Sequence, residues 1–192
     1  MVVTGQANNS LTPSISDTLN SGWSSCYFFT STFNLFMFWA VVPAGGGANT
    51  ITIGNNAAAD YLGYVILEYS VDTGYTVHID QHPAGTSGAA SATPTTPQIT
   101  TTVASEMIVA GFGQGGNDWA TAAPLTQRGA VTLLGGTYMV VGDDAVTSIQ
   151  TNQTWSATQT SNPYHSIVAS FYETAPAAGG GNNRLMMMGF GT

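Results

Sequence analysis

The chain has 192 residues, 43% of them apolar, which is enough for one domain with a sizeable packed core. Only 6% are charged, and ten acids face two basic side chains, Arg128 and Arg184, for a net charge of −8. Without Lys and with so little Arg, counterion-releasing attachment to nucleic acid is excluded, and docking on an anionic membrane surface is disfavoured.

Residues 1–14 are rich in Asn, Ser, Thr and Gly, close on Pro13, and read as an N-terminal arm. They lack the basic and apolar regions of a signal peptide. From Ile15 the pattern becomes that of strands, and a β-sandwich domain is expected over 15–175. Residues 26–30 and 33–42 are rich in aromatics, as strands are. The run LFMFWAVV at 35–42 is the most apolar in the chain, far short of the roughly 20 residues of a membrane helix. Cys26 is the single cysteine, so no intrachain disulfide and no Cys-based zinc site can form.

Pro43 and Gly45 to Gly47 break the chain. In 49–53, Ile51 and Ile53 alternate with Thr50 and Thr52, the period of a half-buried strand. Residues 61–69 (YLGYVILEY) are apolar on both faces near their middle and read as a central strand. Tyr75, Val77 and Ile79 alternate with Thr76, His78 and Asp80, another half-buried strand. Residues 83–98, with three prolines among small residues, read as a loop. Strand character resumes at 106–112, and 113–124 reads as a second long loop. Gly135-Gly136 between 131–134 and 138–141 signals a hairpin. Residues 154–158 and 166–172 read as the last two strands. Residues 176–192 form a Gly-rich linker and an apolar C-terminal arm.

No window carries helical periodicity. About ten short strands joined by Gly, Pro and Thr loops imply an all-β fold, two packed antiparallel sheets with extended arms at both ends. Among sandwiches, a jelly-roll-like topology fits best.

The order of segments adds a resemblance. An aromatic strand at 33–39 leads to a Gly-rich turn and Asn49-Thr50-Ile51-Thr52-Ile53, then Val65-Ile66-Leu67-Glu68-Tyr69-Ser70. A Thr/Ala/Ser-rich loop, Glu106-Met107-Ile108-Val109-Ala110-Gly111-Phe112, a stretch around Trp155, and Ser166-Ile167-Val168-Ala169-Ser170-Phe171 follow. Residues 17 to about 174 thereby resemble a jelly-roll-like β-sandwich domain of tailed-phage virion structural proteins, also seen in bacterial surface proteins. The resemblance implies no cofactor, no reaction and no catalytic residues.

The candidate chemistry is sparse. His78, Asp80 and His82 stand at i, i+2 and i+4 and would share one strand face, a spacing that could hold zinc. Pro83 follows at once, and the apolar residues alternate against them, so a solvated or interface face is expected. Asp143-Asp144 could add to a calcium site but reads as a turn pair. A Ser–His165–Asp143 set lacks any nucleophile-elbow motif. Trp119, beside Asn117 and Asp118, is a possible sugar platform, with closure of one end of the core as the other reading. Leu185, Met186, Met187, Met188 and Phe190 form an adaptable apolar tip. It is expected to dock on a neighbouring subunit, or else to fold back on its own sandwich.

The expected function is that of a non-enzymatic virion structural protein, a capsid decoration or cement subunit on the exterior of a phage head. Its partners would be other virion proteins, the major capsid protein among them, and copies of itself, as in a trimer. Nucleic acid, membrane, metal and cofactor are not expected. The other expectation is a receptor- or carbohydrate-binding module of a phage tail or of a bacterial surface, extracellular in that case.

Overall fold

A computed structural model describes residues 1–8, 12–19, 21–29, 33–42, 47–55, 62–115, 118–133 and 136–176. Among these residues the chain is all-β, with antiparallel pairing throughout. β1 (Val2–Asn8), β3 (Ser24–Phe29), β4 (Phe33–Trp39) and β6 (Leu62–Leu67) form a four-stranded sheet in the order β3-β4-β1-β6. The larger sheet holds β7 (Thr76–Ile79), β8 (Thr86–Ser91), β9 (Glu106–Gly115), β11 (Thr126–Leu133), β12 (Thr137–Val146) and β14 (Asn162–Thr174). Its order is β11-β12-β9-β14-β7, and β8 lies against the first part of the long β14. Two small ribbons join β2 (Pro13–Asp17) to β5 (Ile51–Asn55) and β10 (Ala120–Thr121) to β13 (Ala157–Thr158).

The two-residue period of a strand sorts the core. Val2, Leu35, Met37 and Leu67 of the four-stranded sheet meet Met107, Val109, Met139, Val141, Ile167, Ala169 and Phe171 of the larger one. Trp39 closes on Phe171 edge-on, with ring centres 5.7 Å apart. The opposite face of the larger sheet is covered as well. Ile108, Ala110, Phe112, Val140 and Val168 pack under Ile99, Trp119, Leu125, Trp155 and Ala157, which come from the long connections. Burial on both faces explains why residues 106–112 are nearly unbroken in apolar character.

Four expectations need correction. Residues 2–8 are not an arm: β1 is an inner strand, flanked by β4 and β6, and Val2, Val3 and Ala7 are buried. Residues 61–69 do not supply a central strand: β6 is an edge, and Tyr64 and Ile66 on its outer face are 44% and 41% exposed. Its apolar inner side leans on β11, where a Cβ on Gly63 would strike Leu133 and one on Gly129 would strike Val65. The loop at 83–98 contains β8, in which Gly88 lies under the Tyr164 ring. The loop at 113–124 is shortened, because β9 runs on to Gly115 and β10 follows.

Gly136, at φ 74, turns the chain between β11 and β12, as the Gly-Gly signal indicates. The strand read at 154–158 is reduced to the two residues of β13 and single bridges from Ser156 and Gln153.

Candidate functional site

One end of the sandwich opens into a cleft of about 470 Å³. Its floor is built where the two sheets part: Val2 from β1, Trp39 from the end of β4, Val77 from β7, Met107 from β9 and Phe171 from β14. The connection between β6 and β7 forms one wall, through Tyr69, Val71 and Tyr75. The lining is mainly aromatic and aliphatic. Glu68, Asp72 and Glu173 add carboxylates to it. Burial, and then the charge of Asp72, push the Glu173 carboxyl above its ordinary range. A cleft of this size and polarity can take apolar side chains or a small apolar ligand, and its carboxylates favour one with a positive charge beside it.

A second recess, about 390 Å³, lies on the far side of the same connection and is lined by Ile66, Glu68, Tyr69, Arg128 and Asp143 among others. Here Arg128 Nε donates to both oxygens of Asp143 at 2.8 and 2.9 Å, and the Tyr69 hydroxyl donates to Asp143 Oδ2 at 2.7 Å. Asp143 is buried, so it holds Arg128 as its counter-ion. Desolvation, with the neighbouring Asp143 charge, drives the Tyr69 phenol well above its ordinary range and keeps it a donor. The recess thus offers an arginine already neutralised by its own carboxylate.

The residues singled out from the sequence fall elsewhere. His78 Nε2 lies 2.9 Å from Thr174 Oγ1 and its ring stacks on Tyr172, its partner across the strands. Asp80 accepts from the amide and hydroxyl of Thr102, both at 2.6 Å. His82 is exposed. His78 and Asp80 are thus engaged separately, and among the described residues no group of three or more His, Cys, Asp or Glu is placed to hold a metal ion.

Asp143 and Asp144 are not a turn pair. Both lie within β12, so they point to opposite faces. Asp144 accepts from Trp155 Nε1 at 2.8 Å in the outer layer. His165 and Asp143 do not form a catalytic pair either. His165 is opposite Gly113, and Asp143 is opposite Val109, an offset of about 13 Å along β9 at the rise of a strand. Burial also lowers the His165 imidazole to about 4, so it is neutral at pH 7.

Trp119 is 6% exposed and packs on Phe112, ring centres 6.5 Å apart. It closes the outer core and has no free face on which a sugar could stack, which corrects the platform reading. Asn117 and the tip residues Leu185, Met186, Met187, Met188 and Phe190 lie outside the described residues. None of the four tryptophans is fully exposed.

The sequence reading missed the cleft because its residues come from five separated segments. It also missed Glu106, which is fully buried. Glu106 Oε1 accepts from the Val103 amide. Burial, helped by the adjacent Asp80 carboxylate, raises its carboxyl to about 7. The signal for it was a lone acid opening an otherwise apolar strand. No family model, no curated protein and no solved structure matches the chain.

Proposed function

We propose that the chain is a non-enzymatic structural subunit of a virus particle, a decoration or cement protein bound to the outside of a phage head. Its partners in this reading are the major capsid protein and further copies of itself, arranged as a closed oligomer such as a trimer. The observation that carries the reading is the outer surface. The chain supplies it with few charged side chains, 6% of its residues, yet Tyr64 and Ile66 stand exposed on the same face of the edge strand β6. An isolated soluble domain depends on surface charge for colloidal stability, and exposed apolar side chains grouped on one face suit a covered surface. Neutral Thr- and Ser-rich faces lose little on desolvation when a partner supplies hydrogen bonds.

Mass spectrometry of particles purified by density gradient tests this role. The chain is expected in the particle band at a copy number comparable with that of the shell protein. Its absence from the band, with the chain recovered in the soluble fraction, would overturn the proposal.

A further inference from the structure

We infer that the cleft at the end of the sandwich binds a small organic cation, an aromatic or aliphatic body ending in an ammonium group, with the ammonium set against Asp72 and Glu173. The inference holds whether or not the chain belongs to a virus particle.

Three observations carry it. The first is shape. At about 470 Å³ the cleft has the size of a small-molecule site and room for a ring on a short chain. Its floor residues Val77, Met107 and Phe171 belong to the core between the sheets, so the floor is preformed on strands. The second is the apolar lining. Trp39 and Tyr75 are half-buried, which leaves part of each ring to a ligand. Val41 and Val71, also in the lining, stand exposed. An apolar body seated among them takes these side chains out of water, and an ammonium near the rings is attracted by their faces.

The third is the placing of charge. Glu68, Asp72 and Glu173 line the cleft together with the Met1 ammonium. That ammonium is already engaged: it donates to the Ala40 carbonyl at 2.9 Å, and the carboxylate acting on it is Glu68. The carboxylate acting on Glu173 is Asp72, which adds to burial in raising the Glu173 carboxyl. Arg128 is held by Asp143 in the neighbouring recess. Among the described residues, neither Asp72 nor Glu173 forms an ion pair. A ligand ammonium beside them relieves the repulsion between the two carboxylates and favours the ionised form of Glu173. Asp72 is exposed, so the charge selects among ligands while the apolar body supplies most of the affinity.

Methyl NMR of the full-length protein tests the inference with probes of nearly one shape: 2-phenylethylammonium, 2-phenylethanol and 3-phenylpropionate. The ammonium is expected to shift the methyls of Val71, Val77 and Met107 saturably and to leave those of Val140 and Val168, in the outer layer, in place. Its affinity is expected to exceed that of the alcohol roughly fivefold, the effect of one partly exposed ion pair, with the carboxylate bound most weakly. Asp72→Asn combined with Glu173→Gln is expected to bring the ammonium down to the level of the alcohol, with the alcohol's own affinity as in the parent. The ranking of probes on the parent protein does not depend on how well that variant folds. Three results would each overturn the inference: cleft methyls that do not respond to the ammonium, an alcohol bound as tightly as the ammonium, or a preference for the ammonium that survives the double substitution.

Discussion

At the scale of single residues, the buried acids decide how the protein responds to pH. Glu106 has an ordinary value of 4.5 and is raised to about 7 in the fold. Between those values the folded chain holds a proton that the unfolded chain has released. The Glu106 contribution to stability is then full below pH 4.5 and is lost as pH rises toward 7, while buried His165, lowered from 6.5 to about 4, contributes the opposite trend over the same range. Glu106→Gln is expected to remove the falling component, leaving stability that rises with pH between about 4 and 6.5, and to be more stable than the parent above pH 7. Urea midpoints measured across the range by tryptophan fluorescence read both effects. Trp155, with its ring 1% exposed and its Nε1 bonded to Asp144, separates packing from hydrogen bonding. Trp155→Phe is expected to cost about 1 kcal/mol, the net worth of a hydrogen bond. Trp155→Ala is expected to cost about 3–5 kcal/mol, since it also opens a cavity in the outer layer. Equal costs in chemical denaturation would contradict this assignment.

At the scale of elements, the strands legible in the sequence are those whose own side chains carry the pattern. Ile51 and Ile53 in β5, the apolar run in β9 and the Gly-Gly turn before β12 are such cases. β1 and β8 were not legible, and for one physical reason. Their residues are small or polar because the bulk that fills the space comes from a neighbour. Gly5 of β1 lies under the Phe36 ring, and Thr4 and Gln6 point at Gly111 and Gly113 of the facing sheet. Gly88 of β8 lies under Tyr164. Complementarity of this kind spans segments more than thirty residues apart and leaves no local period. The edge position of β6 was hidden for the converse reason, since an apolar outer face reads like a buried one. A sharp prediction follows for β1. Removing residues 2–8 is expected to abolish cooperative unfolding, because it takes the strand that joins β4 to β6. A truncated chain that still melts in one sharp transition would restore the arm reading.

At the scale of the whole molecule, the larger sheet is sheltered on both faces, by the smaller sheet and by the layer of long connections. The outer face of the smaller sheet carries the exposed apolar pair. Tyr64→Lys with Ile66→Lys is expected to leave the fold and its melting transition nearly unchanged, since both side chains already meet water. The same double variant is expected to lose attachment to particles in a co-sedimentation assay; retained attachment would mean that another surface makes the contact. The cleft and the β6 face exist only once strands distant in the chain are brought together.

An electron cryomicroscopy map of the virus particle to which the chain is proposed to belong tests this reading at its centre. Density for the sandwich is expected on the outer shell, with the β6 face and its Tyr64 and Ile66 pressed against a neighbouring subunit. A map in which that face looks out on open solvent, all contact being made elsewhere, would contradict it.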